Sequence, residues 1–209
     1  MTGKNRSLNL LIPGIDGSGP DHWQTLWEIA HQDCERVELG AWDRPIPRLW
    51  MERLTEAVRR RRDANVTPVA HSLGCILVAW WAQSQPQLAA RLSGAFLVAP
   101  CNPASDRDQR LRTFSPIPVN RPPFPVLVVA SRNDPYATFD WSARFARGLD
   151  AKIHDAGYLG HINAASPIGA WNEGRLLLDD FRSSLAAKEK SWLSSMGNRC
   201  VPQSPRMER

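Results

Sequence analysis

The chain has 209 residues, of which 43% are hydrophobic and 22% charged, and its formal net charge at pH 7 is +5. This length and composition are typical of one globular domain that is large enough for its own core. No apolar run reaches the 18 residues of a membrane-spanning helix, and the run near the N-terminus, Leu8–Ile12, is too short for a signal peptide. We therefore expect a cytoplasmic protein with no membrane span.

The four cysteines indicate neither a disulfide framework nor a metal site. Their positions contain no C-x-x-C pair and no metal-ligand spacing. Reduced thiols are the ordinary state of such cysteines in the cytoplasm. We expect no metal and no cofactor.

The basic residues do not form a nucleic-acid footprint. The main cluster, Arg59–Arg62, ends a helix-like segment, where cations complement the helix dipole. A nucleic-acid surface would interleave basic and aromatic residues over a whole face. The cluster is better interpreted as a solvated helix end, and we expect no nucleic-acid partner.

Strand-like and helix-like segments alternate along the chain. Six short apolar runs predict strands at Leu8–Ile12, Arg36–Leu39, Thr67–Ala70, Gly94–Ala99, Val126–Ala130 and Lys152–His154. Segments of helical length are His22–Gln32, Arg48–Arg62, Cys75–Ser84, Asp140–Gly148 and Asn172–Ala187. Because the strand runs are almost continuously apolar, the pattern predicts an α/β fold of three layers, with a mainly parallel sheet of about six strands covered by helices on both faces.

Two segments depart from this alternation. Cys101–Pro125 is rich in Pro, Asp and Arg, which predicts a surface loop near the carboxyl ends of the strands, with room for one short helix. From Lys188 onwards the composition is typical of a flexible basic tail. We expect one domain over residues 1–187, a tail over 188–209, and no large cap domain.

The first strand ends in a glycine-rich loop, "IPGIDGSGP". Such a loop can bind phosphate, but the spacing here is the reverse of G-x-G-x-x-G, and the lysine of a G-x-x-x-x-G-K-[ST] loop is missing. Flexible backbone at this point is equally suited to turning N–H groups toward an oxyanion. We favour the second interpretation.

The third strand ends in "AHSLG", which is G-x-S-x-G with Ala70 in place of the first glycine. A nucleophile elbow needs small residues beside its serine because the strand-to-helix turn is tight. Ala70 is small and Gly74 is retained. The competing interpretation makes Ser72 only the N-cap of the following helix.

An acid and a histidine follow later strands. Asp134 comes after Val126–Ala130, although Asn-Asp-Pro is also good turn chemistry. His161 lies in a glycine-bounded loop beyond the last strand, whereas His154 lies inside that strand. Ser72, Asp134 and His161 therefore follow three strand ends in the chain order of an α/β-hydrolase catalytic triad. A serine hydroxyl needs such a base and acid to become a nucleophile at neutral pH.

The chain resembles the small, capless serine hydrolases of the YdeN and retinoblastoma-binding-protein-9 type. The matching motifs are "IPGIDGSGPDHW", "VAHSLGC", "VASRNDPY" and "GHINAASPIGAWNEG". The resemblance covers about residues 7 to 185 and implies an α/β-hydrolase fold with a triad of Ser72, Asp134 and His161. It also implies an oxyanion hole formed by backbone donors at Leu73 and near Ile15.

We expect the substrate to be a small carboxylic ester with a short acyl chain, cleaved through an acyl-enzyme. A chain this short has no room for a large lid, so the site should be shallow. Further candidates for substrate contact are Asp16, His71, Trp23 and Tyr136. A thioesterase, amidase or acyltransferase would use the same triad, and a non-catalytic protein-interaction module on a hydrolase scaffold is the alternative from another class.

Overall fold

A computed structural model describes residues 6–61, 64–105, 107–117 and 120–197. Its six strands are β1 (Arg6–Ile12), β2 (Cys34–Arg36), β3 (Ala64–His71), β4 (Ala95–Val98), β5 (Val126–Ala130) and β6 (Lys152–Asp155). They form one sheet in the order β2-β1-β3-β4-β5-β6. Every neighbouring pair is parallel. All carboxyl ends therefore lie at one edge of the sheet, which is where ligands bind in folds of this type.

Among the described residues, five α-helices lie between strands and a sixth follows β6: α1 (Trp23–Ala30), α2 (Pro47–Arg59), α3 (Leu73–Ser84), α4 (Pro86–Ala89), α5 (Phe139–Gly148) and α6 (Asn172–Gly197). Side chains alternate between the two faces of a strand, and the core is divided accordingly. Leu10 and Ile12 of β1 pack with α2, α3 and α5 on one face. Leu11 packs with α1 and α6 on the other. The predicted three-layer α/β fold without a large cap is confirmed.

The first helices of the two layers are held by tryptophans. Trp50 of α2 lies in the cluster on one face, and Trp23 and Trp27 of α1 lie in the cluster on the other. All three are almost fully buried. Each also donates its indole N–H to a backbone carbonyl, which satisfies the polar edge of a buried ring.

Two predicted elements have different limits in the structure. The second strand, expected at Arg36–Leu39, is β2 at Cys34–Arg36, because pairing with β1 runs only from Cys34 to Arg36. Val37 and Leu39 lie beyond β2 and are buried in the core cluster that contains α2, and the Val37 N–H still donates to the Leu11 carbonyl of β1 at 2.9 Å. The last helix was expected to end at Ala187 and continues to Gly197. Residues 198–209, the rest of the predicted tail, lie outside the described residues.

The segment between β4 and β5 contains a short 3₁₀ helix, Gln109–Phe114, in the loop where the sequence left room for a short helix. Leu111 and Phe114 of this helix are fully buried. The Phe114 ring packs against Trp50 of α2 and Trp80 of α3, so the segment lies against the helix layer on that face of the sheet. Within the described residues, no helix is both long and apolar enough to cross a membrane.

Candidate active site

Ser72 lies in the sharp turn between β3 and α3, with φ 54° and ψ −120°. Such a positive φ is unfavourable for a residue with a side chain and is found where the surrounding structure enforces it. Ser72 stands at the N-cap position of α3, but its side chain makes no capping hydrogen bond. The N-cap interpretation of this serine is therefore wrong.

Close packing around the turn explains its small residues. A Cβ atom on Gly74 would lie 2.7 Å from the Pro13 carbonyl oxygen and even closer to that of Ile12. A Cβ atom on Gly14 would lie 2.8 Å from Cβ of Ser72. The glycine-rich loop after β1 therefore passes directly against the serine turn, and a side chain at either glycine would separate them.

The structure brings together the three residues that follow the strand ends. Oγ of Ser72 lies 2.8 Å from Nε2 of His161, and Nδ1 of His161 lies 2.8 and 2.9 Å from the two carboxylate oxygens of Asp134. Because a carboxylate only accepts, Nδ1 carries the proton, and the Nε2 lone pair faces the serine hydroxyl. The His161 and Asp134 side chains are only 7% and 4% exposed, so water competes little with this chain of hydrogen bonds.

Asp134 makes both of the contacts considered for it, one within its turn and one with the histidine. Its Oδ1 accepts the backbone N–H of Tyr136 at 2.8 Å, which is the Asx-turn bond, in addition to its contact with His161. The neighbouring Asn133 accepts the N–H of Gly160. The loop after β5 therefore holds both the acid and the start of the histidine loop.

The histidine loop is also held by Trp23 of α1 and by His71 at the end of β3. The indole N–H of Trp23 donates to the Ile162 carbonyl, and the His71 ring lies with Nε2 2.9 Å from the His161 carbonyl. Ile162 has a positive φ of 47°, a conformation that a β-branched residue adopts only under constraint. These two buried hydrogen bonds supply that constraint.

Two further histidines stand behind His161. His71 is 4.9 Å from the His161 ring, and His22 is 4.7 Å from the His71 ring, between centroids. Burial lowers the pKa of His22 to about 3. Burial also lowers the pKa of His71 well below its ordinary value. Both rings are therefore neutral at pH 7.

Ser72 opens into a cavity of about 230 Å³. The cavity is lined by Ile15, Asp16, Gly17, Gly19, His22, His71, Ser72, Leu111, Tyr136, His161, Asn163 and Ala164. Three of the four candidates for substrate contact, Asp16, His71 and Tyr136, are in this lining. Trp23 is not: it is fully buried behind the cavity and contacts the histidine loop instead, so the expectation of substrate contact is wrong for this residue.

Several residues that line the cavity were not predicted from the sequence. Leu111 belongs to a segment whose path across the site has no sequence signature. Asn163 and Ala164 follow His161 in the motif "GHINAA", so their proximity was available from the sequence. His22 was available in the same way, because it follows the glycine-rich loop in "GPDHW".

One wall of the cavity is held by an ion-pair cluster. Arg110 of the 3₁₀ helix makes a bidentate contact with Asp16, at 2.8 and 3.0 Å, and also binds Asp108 and the Asp43 carbonyl. Bidentate arginine–carboxylate pairs fix orientation as well as distance. The segment that carries Leu111 is thereby tied to the glycine-rich loop beside Ile15.

The three cysteines among the described residues are not suited to be nucleophiles. Cys34, Cys75 and Cys101 are free and buried. Burial raises the pKa of Cys34 to about 11 and that of Cys101 to about 12, and it raises that of Cys75 well above its ordinary value. All three remain thiols rather than the reactive thiolates. Among the described residues, no group of three or more His, Cys, Asp or Glu is arranged to hold a metal ion.

The fold and the geometry at the strand ends define an α/β hydrolase. Comparison with known proteins agrees: residues 9–180 match the model of the family described as serine hydrolase. The chain belongs to this serine hydrolase family. No curated protein sequence matches it.

Solved structures of related fold include two proteins described by the name YdeN and a protein named Est1E. A protein of Pectobacterium atrosepticum described as a YdeN-like hydrolase is 27% identical with a TM-score of 0.77, over 86% of this chain and 92% of that one. The ydeN product of Bacillus subtilis is 20% identical with a TM-score of 0.66, over 87% and 99%. Est1E of Butyrivibrio proteoclasticus is 14% identical with a TM-score of 0.66, over 89% and 90%. At such low identity, the last two show the fold alone.

Proposed function

We propose that this protein hydrolyses small carboxylic esters through an acyl-enzyme on Ser72, with His161 as general base and Asp134 as the acid that orients it. The observation that carries the proposal is the hydrogen-bonded chain from Oγ of Ser72 through His161 to the buried Asp134 carboxylate. Ser72 reaches this position through a strained turn rather than a capping role, and strain of this kind is typical of functional sites.

In the first step, Oγ of Ser72 attacks the ester carbonyl carbon while its proton passes to Nε2 of His161. The resulting imidazolium is stabilised by Asp134, whose carboxylate contacts Nδ1. When the tetrahedral intermediate collapses, the C–O bond of the leaving alcohol breaks and the alcohol takes the proton from Nε2. Water then attacks the acyl-enzyme with the same base, and the acid product leaves.

Two backbone N–H groups are suited to bind the oxyanion. Leu73 is the first residue of α3, so its N–H has no acceptor within the helix. In the glycine-rich loop, Asp16 donates to the Trp42 carbonyl and Gly17 to that of Gly14. Among the described residues, the N–H of Ile15 has no such acceptor. We assign the hole to Leu73 and Ile15.

The size of the cavity supports a short acyl chain. About 230 Å³ is less than the range of drug-sized ligand pockets, and Leu111 closes one side of it. Small esters are therefore favoured over lipids.

The proposal is tested with p-nitrophenyl esters of increasing acyl length. We expect turnover with acetate and butyrate, a decline at longer chains, and loss of turnover in Ser72→Ala with an unchanged circular dichroism spectrum. Preference that rises steadily to long chains would contradict the assigned substrate class. A Ser72→Ala protein that remains active would contradict the assigned nucleophile.

A further inference from the structure

His22 has a ring nitrogen that the proposed mechanism does not use. The residue is only 4% exposed. Its Nδ1 accepts the backbone N–H of Gln24, the N-cap bond of α1. A neutral ring whose Nδ1 accepts must carry its proton on Nε2. That Nε2–H is buried and has no hydrogen-bond partner among the described residues, which is unusual for a buried donor.

The adjacent ring of His71 is left with a hydrogen-bond acceptor, where His22 is left with a donor. Its Nε2 lies 2.9 Å from the His161 carbonyl oxygen, which only accepts, so the proton of this ring is also on Nε2. Nδ1 of His71 therefore presents a lone pair, and no described residue donates to it. One ring offers a donor, its neighbour offers an acceptor, and their centroids are 4.7 Å apart.

Both rings line the cavity that holds Ser72. A group that completes the pair must accept one hydrogen bond and donate one. A hydroxyl does both, whereas a methyl group does neither and a carboxylate or ketone only accepts. The lowered pKa values of the two histidines keep both rings neutral at pH 7, and their hydrogen bonds to Gln24 and His161 set the two tautomers.

We propose that His22 and His71 form a subsite for a hydroxyl group carried by the substrate close to its scissile carbonyl, with the His22 Nε2–H donating to the hydroxyl and His71 Nδ1 accepting from it. This proposal rests on the proposed function, and it narrows the substrate class to small hydroxylated esters. A resident water offers the same chemistry and is the alternative source of the hydroxyl.

The experiment compares p-nitrophenyl 3-hydroxybutyrate with p-nitrophenyl butyrate in the wild type and in His22→Asn. Asparagine retains an N-cap acceptor for α1 and removes the Nε2–H. His31→Asn is the matched control, because it makes the same substitution at the other end of α1 and lies outside the cavity. The ratio of kcat/KM for the two esters cancels any general loss of activity.

We expect the ratio of hydroxylated to plain ester to fall about threefold to tenfold in His22→Asn, as one neutral hydrogen bond implies, and to stay unchanged in His31→Asn. An unchanged ratio in His22→Asn, with both esters affected equally, would assign the site to a resident water and overturn the proposal.

A binding measurement separates this proposal from the proposed function. In ¹H–¹⁵N spectra of the histidine rings, 3-hydroxybutyrate should shift the His22 Nε2 resonance more than butyrate does. If this shift occurs in a protein that hydrolyses neither ester, the subsite stands and the proposed function fails. If the esters are hydrolysed but the two acids shift the resonance equally, the subsite fails alone.

Discussion

The indole N–H of Trp23 donates to the carbonyl of Ile162 at 2.9 Å, which fixes the backbone immediately beyond His161. The bond joins α1, on one face of the sheet, to the loop after β6. Ile162 is held at a positive φ, so the position of His161 depends on Trp23, which does not line the cavity.

Trp23→Phe should lower kcat by about three- to tenfold with little change in KM. The phenyl ring keeps most of the buried contacts, and the lost bond frees the carbonyl next to His161, where small displacements of a catalytic group are costly. Trp27→Phe is the matched control, because it removes a similar bond to the Ala170 carbonyl, farther from the base. Steady-state kinetics check both variants, and equal kcat losses in the two would contradict the role given to Trp23.

Gly74→Ala should destabilise the fold and abolish turnover. Its Cβ would be forced against the Ile12 and Pro13 carbonyl oxygens, and overpacking of this kind costs about 1–3 kcal/mol. Gly19→Ala meets no atom within 4 Å, so its free energy of unfolding should stay near that of the wild type. Urea denaturation measures both. A Gly74→Ala protein with wild-type stability and activity would contradict the tight serine turn.

Stability should decrease as the pH falls below about 6.5. Burial lowers the pKa of His22 from 6.5 to about 3 in the folded protein. Between pH 6.5 and pH 3, His22 is therefore protonated in the unfolded chain and neutral in the folded protein. The free energy of unfolding then falls by about 1.4 kcal/mol per pH unit for each such histidine, and His71 adds to the slope.

Urea denaturation between pH 7 and pH 5 measures this slope. His22→Asn should reduce the slope by the contribution of one proton, about 1.4 kcal/mol per pH unit. A slope that does not respond to His22→Asn would show that His22 is protonated in the folded protein.

The Arg110–Asp16 pair should support activity more than stability. Its two side chains are 40% and 58% exposed, and pairs this exposed contribute about 0–1 kcal/mol to folding. Arg110→Ala should nevertheless lower kcat/KM severalfold, because the loop that carries Ile15 loses its anchor.

A double-mutant cycle with Asp16→Asn tests the coupling, with activity as the measured quantity. If the two residues act through one contact, the double variant should be no worse than either single variant. Additive losses would contradict the coupling, since independent sites are additive and coupled ones are not.

The sequence predicted the sheet and the residues at its carboxyl edge, because both follow from short-range patterns. Buried parallel strands are continuously apolar, and residues that follow their ends must meet at one edge. Ser72, Asp134 and His161 satisfy that rule, and the structure brings them together. Their catalytic roles remain predictions.

The parts that were missed depend on long-range packing. Nothing near Trp23 in the sequence indicates that its indole N–H reaches a loop 139 residues away. Likewise, the position of Leu111 in the cavity wall depends on its own burial in the core and on the contact of Arg110 with a loop 94 residues earlier. The limits of β2 depend on its register with β1, which composition does not encode.

The most direct test of the account is mass spectrometry of the protein after exposure to a fluorophosphonate probe, with Ser72→Ala treated in parallel. We expect a single adduct that maps to Ser72 in the wild type and no adduct in the variant. Absence of an adduct in the wild type, or one that persists in Ser72→Ala, would contradict an activated serine at this site. Absence of an adduct in the wild type would favour the interaction-module alternative, whereas a persistent adduct would assign the reactive nucleophile to another residue.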